Sequence, residues 1–330
     1  MTAGVLPVVY SFFTDSGSFD LDAHERQIAW VRSNGAAGVT LFGLASEGAA
    51  LSPDERLLIL AQTCKNLTAQ EALLVTVRPD DDIRLLSRCA IDNRGQVALI
   101  VQIGADAAAS LHQIDKLVAD PGLARRVDLG LQLAPGLIDT KFSVGSLTAY
   151  PALLERLSFL KAEYNSIELS AHLAAIGQPL DLLVGRHGQN LIEYLRIGAV
   201  GVIPGTEMTL ALKHILYQWM AGQHSQAVQV YCRAAPYVDF AMQDLDTVID
   251  VGRAITARAL DMKLGRRRRP SNVDAPSFQR AIEAWWPYWQ MMCGRQTEPE
   301  FGDLHRASLA IAYAGVDRDQ THPKDGHEST

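Results

Sequence analysis

The sequence lacks the features that mark several specialised classes of protein. It has only four cysteines, and no two of them are in CxxC spacing, so we expect reduced thiols rather than a disulfide framework. It also has no HExxH motif and no spacing that gathers histidines and acids. We therefore expect neither a metal nor a cofactor. A formal net charge of -7 gives no reason to expect nucleic acid as a partner.

Targeting and membrane segments are lacking too. The first residues show no basic segment followed by a long apolar run, so no secretory signal peptide is predicted. No stretch reaches the ~20 apolar residues that a membrane-spanning helix needs. We therefore expect a cytoplasmic protein with no membrane partner.

What the sequence does contain is enough apolar material for a large core. Of the 330 residues, 48% are hydrophobic and 20% are charged, which is typical of a folded globular chain. This length allows either two domains or one large barrel.

The most informative stretch covers residues 41–56. Before it, residues 38–42 are short, apolar and β-branched, which predicts a buried strand. At its end, Ser52, Pro53 and Glu55 form a capping box with proline at the first helical position. A loop of small residues and one acid joins the two, so the stretch predicts a strand-loop-helix unit.

This unit is repeated along the chain. Eight strands, each followed by a helix, are predicted at residues 4–10, 38–42, 73–77, 97–103, 129–133, 165–169, 180–184 and 201–203. The helices after the fourth and fifth strands are predicted around residues 111–118 and over 150–162. Eight such units favour a (β/α)₈ TIM barrel over the alternative, a doubly wound sheet. We predict the barrel over residues 1–222, a helical extension over 223–316 and a disordered tail over 317–330.

Three motifs lie at predicted strand ends: Gly43-Leu44-Ala45-Ser46-Glu47, Gln132-Leu133-Ala134-Pro135 and Gly201-Val202-Ile203-Pro204-Gly205. Over about residues 4–261 the chain resembles the dihydrodipicolinate synthase / N-acetylneuraminate lyase family of aldolases. It is most similar to a subgroup with a G-[LM]-A-S-E loop, a Q-D-x-P motif and a G-V-x-P-G motif. The resemblance implies class I aldol chemistry on pyruvate or a related 2-oxo acid. It also implies a homodimer or homotetramer.

In that family a lysine on the sixth strand forms a Schiff base and a tyrosine on the fifth strand relays protons. With the sixth strand at 165–169, the lysine position is Glu168 or Ser166, and the tyrosine position is Gln132. Lys161 is then expected on the preceding helix, in the outer ring. Lys141, after the fifth strand, is either a surrogate nucleophile or an exposed loop residue.

These differences leave two functional hypotheses open. In the first, the protein is a lyase that acts on a small 2-oxo or hydroxy acid without the usual Schiff base. In the second, it is an inactive family member that binds a metabolite or a partner. In either case the ligand is expected to be a small carboxylate.

The candidate site is the set of polar residues at the C-terminal ends of the strands. Glu168, His187 and Gln132 are the candidate catalytic residues. The candidate substrate-binding residues are Gly43, Leu44, Ala45, Glu47, Arg78, Arg186 and Gly205. Each of the acids and the histidine has a structural alternative: Glu168 as an acid paired with Arg78 or Arg186, His187 as a solvated loop residue, and Glu47 as a cap for its own loop.

The one run of like charge is Arg266, Arg267, Arg268 and Arg269. We interpret it as a solvated turn between helices, because no second basic patch supports a phosphate or nucleic-acid site.

Overall fold

The structure is a computed structural model, and it describes residues 3–78, 81–94, 97–103, 109, 111, 112, 114, 120–134, 144–177, 179–271 and 275–293. The chain divides into two compact units, Met1–Asn272 and Val273–Thr330. Lys141, the tail predicted at 317–330 and most of a helix predicted at 111–118 lie outside the described residues. The domain boundaries predicted from the sequence stay predictions.

The first unit contains eight parallel strands that neighbour one another in the order β1-β8-β7-β6-β5-β4-β3-β2. Their bounds are β1 Gly4–Val5, β2 Gly38–Leu41, β3 Ala72–Val77, β4 Val97–Gln102, β5 Val127–Leu133, β6 Leu157–Ala162, β7 Asp181–Val184 and β8 Ala199–Val202.

The residues after β1 close the sheet into a barrel. Val8 forms parallel bridges to both Thr40 at β2 and Gly205 after β8. The Thr40 N–H donates to the Pro7 carbonyl at 2.8 Å, and the Val9 N–H donates to the Thr40 carbonyl at 3.1 Å. The predicted (β/α)₈ barrel is therefore confirmed, since a doubly wound sheet would leave two open edges.

Helices follow the strands and continue after the barrel. Those described in the first unit are α1 Leu21–Ser33, α2 Pro53–Asn66, α3 Ile83–Arg94, α4 Pro121–Ala124, α5 Pro151–Arg156, α6 Ser166–Ile176, α7 Leu191–Arg196, α8 Thr209–Met220, α9 His224–Ala241 and α10 Leu245–Ala259. The predicted capping box of α2 is confirmed: Glu55 N–H donates to Ser52 Oγ at 3.2 Å, and Ser52 N–H donates to Glu55 Oε2 at 2.9 Å.

The barrel interior is filled by apolar side chains from alternating strand positions. This core cluster comprises Leu6, Val8, Leu74, Ala98, Ile100, Phe159, Leu183 and Ile203. Gly130 on β5 is required for it, because a Cβ at that position would lie 2.2 Å from Phe159 Cε2. Polar side chains form the next layer of the interior, toward the C-terminal ends of the strands.

The sixth strand lies earlier in the chain than predicted. Residues 165–169 do not form a strand: Asn165 caps α6, and its side chain accepts hydrogen bonds from the N–H groups of Ile167 and Glu168. The helix predicted over 150–162 ends at Arg156, and β6 begins at Leu157 without a turn. Lys161 therefore lies on a barrel strand rather than on the outer ring.

The second unit is described only as α11, Ala275–Cys293. Within it, the Trp286 and Trp289 rings stack with their centroids 5.1 Å apart. Among the helices that the structure describes in either unit, none is long and apolar enough to cross a membrane.

Candidate active site

Lys161 is the central residue of the polar layer. Side chains alternate along a strand, so Lys161 shares the inward face of β6 with Phe159, which belongs to the barrel core. Its register partners are Gln132 on β5 and Leu183 on β7. Only 6% of the residue is exposed. The expectation that the sixth strand offers no lysine is therefore wrong.

Glu163 is the direct partner of this lysine. Lys161 Nζ lies 2.9 Å from Glu163 Oε1, and Glu163 is 2% exposed. Its other oxygen, Oε2, has no hydrogen-bond partner among the described residues. A buried amine and a buried acid in contact can exchange a proton, and the vacant oxygen can accept a further hydrogen bond from a ligand.

Two glutamines extend the contact across the barrel. Gln132 Nε2 donates to Glu163 Oε1 at 3.2 Å, and Gln102 Nε2 donates to Gln132 Oε1 at 3.1 Å. Gln102, Gln132 and Lys161 are register neighbours on β4, β5 and β6, so their side chains lie in one layer. The structure thus places Gln132 in the site, in contact with an acid that was not among the predicted residues.

Gly185, after β7, allows Glu163 to occupy its position. A Cβ on Gly185 would lie 2.2 Å from Glu163 Oε1 and 2.3 Å from its Cγ. Any larger residue at 185 would therefore displace the carboxylate.

A cavity of about 250 Å³ opens at the mouth of the barrel. Its lining comes from the β2 loop, the ends of β3 and β4, α10 and the segment after α10. These residues are Phe42, Gly43, Leu44, Glu47, Gly48, Ala49, Arg78, Gln102, Leu245, Asp246, Ile249, Arg267 and Arg269. Gln102 is the residue that joins this cavity to the Gln132–Glu163–Lys161 layer.

Four of the predicted substrate-binding residues, Gly43, Leu44, Glu47 and Arg78, line the cavity. Ala45 instead packs against the core cluster. Glu47 is buried, and its backbone is in the left-handed conformation, with φ 52°. Its Oε1 accepts a hydrogen bond from Arg267 Nε at 3.2 Å. Arg78 pairs with Asp81 at 3.2 Å.

Two arginines of the run are paired with acids, and the interpretation of the run as a solvated turn is wrong for Arg267, whose side chain is buried. The Arg267 side chain is 5% exposed and contacts Glu47, Asp246 and Asp250 at 3.2, 2.9 and 3.2 Å. Arg268 pairs with both oxygens of Glu55, at 2.6 and 2.5 Å. The run therefore ties the segment after α10 to the β2 loop and to α2.

His187 belongs to a separate buried cluster. Its Nδ1 accepts a hydrogen bond from Gly205 N–H at 3.1 Å, and its Nε2 lies 3.0 Å from Glu207 Oε1. Tyr10 and Tyr237 donate to the same carboxylate at 3.0 and 3.2 Å. Burial, and then the charge of Glu207, raise the pKa of Tyr10 well above its ordinary value.

The structural alternative of a solvated loop histidine is therefore wrong, because His187 is 4% exposed. Its contacts and those of Gly205 are with the Glu207 cluster, and no hydrogen bond between described residues joins either one to Glu163 or Lys161.

The two remaining predicted residues lie elsewhere on the mouth. Glu168 is exposed on α6, so its assignment to the interior of strand six is wrong. Arg186 follows β7 with a positive φ of 47°. Its Nε is buried and has no hydrogen-bond partner among the described residues, so this donor is open to a ligand.

Within the described part of the chain, no group of three or more His, Cys, Asp or Glu side chains is placed to hold a metal ion.

Comparisons with known proteins give a consistent fold and one distant sequence relative. No family model matches the chain. The L-2-keto-3-deoxyarabonate dehydratase of Azospirillum brasilense is 24% identical over 246 residues, which cover 72% of this chain and 78% of that protein.

The structural matches are nearly complete in length. Dihydrodipicolinate synthase from Rhodopseudomonas palustris aligns with a TM-score of 0.74 and 18% identity, over 87% of this chain and 97% of that one. A prophage protein of the dihydrodipicolinic acid synthase family from E. coli K12, solved in complex with pyruvate, aligns with a TM-score of 0.68 and 16% identity. This alignment covers 87% of this chain and 98% of the prophage protein. At sequence identities of 18% and 16%, these structural matches establish the fold alone.

Proposed function

We propose that this protein is a Schiff-base lyase of the dihydrodipicolinate synthase / N-acetylneuraminate lyase family, with Lys161 as the amine. One observation carries the proposal: Lys161 is buried on the inward face of β6, with its Nζ 2.9 Å from Glu163. A lysine that is desolvated beside a proton acceptor is the arrangement that attack on a carbonyl requires.

The substrate class is a small 2-oxo acid with a hydroxyl group two carbons beyond the carbonyl. The similarity to a keto-deoxy acid dehydratase supports this choice. So does the fold shared with a protein that was solved with pyruvate. A cavity of about 250 Å³ suits a small metabolite, since drug-sized ligands occupy roughly 300–1,000 Å³.

The first half of the reaction forms the covalent intermediate. Lys161 passes a proton to Glu163 and becomes a neutral amine, and its lone pair attacks C2 of the substrate. The carbonyl oxygen takes up one proton from Nζ and one from Glu163 and leaves as water, so C2 is now joined to Nζ as an iminium and Glu163 is again a carboxylate. The iminium then acts as an electron sink for a negative charge at C3.

The second half is elimination. A carboxylate accepts one proton from C3, and the electron pair of that C–H bond moves into the iminium to give an enamine. The enamine electrons then expel the hydroxyl group at C4, which takes a proton and leaves as water. Hydrolysis of the resulting iminium releases the product and regenerates Lys161. Glu163 is the buried carboxylate that contacts Nζ, and we assign both proton transfers to it.

Gln132 cannot titrate near neutral pH, so its proposed role is to position Glu163 through the 3.2 Å hydrogen bond. The proposed substrate-binding groups are Gly43, Leu44, Arg78 and Arg186. His187 and Gly205 are proposed to hold the end of β7 against the end of β8. Homo-oligomeric assembly and a cytoplasmic location stay predictions.

The proposal is tested by treating the protein with pyruvate and borohydride, which reduces an iminium to a stable amine. Peptide mass spectrometry is expected to find the adduct on Lys161. Lys161→Ala should abolish it, whereas the exposed control Lys263→Arg should be trapped as well as the unaltered protein. An adduct on Lys141, or none on any lysine, would contradict the assignment. The absence of an adduct on every lysine would favour the alternative hypothesis of a non-catalytic binding protein.

A further inference from the structure

Three arginines, Arg78, Arg267 and Arg269, line the cavity, and they differ in the acids that they contact among the described residues. Arg78 shares Asp81 with Arg56, and Arg267 pairs with Glu47, Asp246 and Asp250. Arg269 also lines the cavity, and no described residue forms an ion pair with it. A ligand in the cavity therefore faces a cation that is available for binding.

The residues just before Arg269 fix its position. Arg267 is held by three carboxylates, and Arg268 by Glu55 and the face of Phe13, with its guanidinium carbon 4.4 Å from the ring centroid. Pro270 follows and restricts the backbone. Because the backbone on both sides is restrained, less freedom is lost when Arg269 binds an anion.

Arg269 belongs to the part of the lining supplied by α10 and the residues after it. In a 2-oxo acid the C1 carboxylate is attached to the carbon that bonds Lys161, so it must remain beside the Lys161–Glu163 pair. Lys161 is not among the lining residues. The cation at Arg269 is thus left for a group at the opposite end of the ligand.

We propose that Arg269, together with Arg78, binds a terminal carboxylate, so that the preferred substrates are 2-oxo acids with a second carboxylate at the far end. This inference rests on the proposed function, because it takes C2 to be held at Lys161. A carboxylate is the group that the planar guanidinium binds through two parallel hydrogen bonds.

The test compares two ligands of equal chain length by titration calorimetry. 2-Oxoglutarate carries the terminal carboxylate, and 2-oxopentanoate has a methyl group in its place. We expect the intact protein to bind 2-oxoglutarate about tenfold more tightly, as one charge-assisted hydrogen-bonded contact provides. Arg269→Gln should bring the two affinities close together, and Arg269→Lys should retain part of the difference.

Arg266→Gln is the matched control, because Arg266 is an exposed member of the same run outside the cavity lining. It should keep the full difference, and all variants should melt at similar temperatures. Equal affinities in the intact protein would overturn the inference. An unchanged ratio in Arg269→Gln would do the same.

Glutarate separates this inference from the proposed function, because it has both carboxylates and no ketone. Its binding should weaken in Arg269→Gln and survive in Lys161→Ala. If glutarate binding depends on Arg269 while pyruvate is not trapped at Lys161, the carboxylate subsite stands and the Schiff base fails. If pyruvate is trapped but 2-oxoglutarate has no advantage, the function stands and the terminal-carboxylate subsite is wrong.

Discussion

Gln132 and Lys161 are direct register partners on neighbouring strands, and Glu163 contacts both of their side chains. Both contacts are made to the same oxygen, Glu163 Oε1, at 3.2 Å from Gln132 Nε2 and at 2.9 Å from Lys161 Nζ. An amide on the fifth strand is thus in contact with the carboxylate of the residue that directly follows the sixth strand. In the proposed mechanism Glu163 transfers the protons, so a glutamine at position 132 does not remove the means of proton transfer.

We first predict that Glu163→Gln preserves the fold and stops proton transfer. The amide is nearly isosteric but cannot accept the C3 proton, so the rate of deuterium exchange at C3 of pyruvate should fall about 10²- to 10⁴-fold, as the loss of a general base does. Exchange is measured by proton NMR in deuterated buffer. Glu168→Gln is the matched control on the surface of α6 and should exchange at the rate of the intact protein. Comparable exchange in both variants would remove Glu163 from the mechanism.

The barrel could be predicted from the sequence because most strands are short apolar runs and most helices carry a visible start or stop. The Ser52 and Glu55 cap is an example, and the structure contains both of its hydrogen bonds. The β2 loop could likewise be assigned to the mouth, because a loop that follows the C-terminal end of a strand lies there in every (β/α)₈ barrel.

Strand six was misplaced because the signal for its start is missing. Helix α5 ends at Arg156 and β6 begins at the next residue, with no glycine or proline between them. The stretch Leu160-Lys161-Ala162-Glu163 places a lysine and an acid two residues apart at the end of the earlier strand. Recognising Asn165 as a helix cap would have favoured that earlier register.

The contacts of Arg267 could not be predicted in the same way. It is separated from Glu47 by 220 residues, and a run of four arginines ordinarily indicates a solvated surface. Only the position of the segment after α10, which depends on tertiary packing, brings the two side chains together.

A second prediction concerns Gly185. An alanine there would place its Cβ 2.2 Å from Glu163 Oε1, so the carboxylate must move away from Lys161. Gly185→Ala should slow borohydride-trapped adduct formation at least about tenfold. Gly122→Ala is the control, because Gly122 is exposed and its Cβ would meet only an aspartate side chain at 3.3 Å. Equal trapping rates in the two variants would show that the methyl group at residue 185 does not displace the Glu163 carboxylate from Lys161.

The last prediction concerns acid stability and His24, which is buried and hydrogen-bonded to Thr63 Oγ1 at 2.8 Å. Burial lowers the pKa of His24 to about 4, so the folded protein holds it neutral while the unfolded chain protonates it near its ordinary pKa of about 6.5. The stabilisation that comes from keeping His24 neutral is therefore complete above pH ~6.5. As the pH falls from there toward about 4, the free energy of unfolding decreases by up to about 3 kcal/mol. Urea unfolding at several pH values should show a shallower decline for His24→Gln than for the intact protein. The exposed control His224→Gln should follow the intact protein. Parallel curves for all three proteins would mean that His24 is protonated in the folded state.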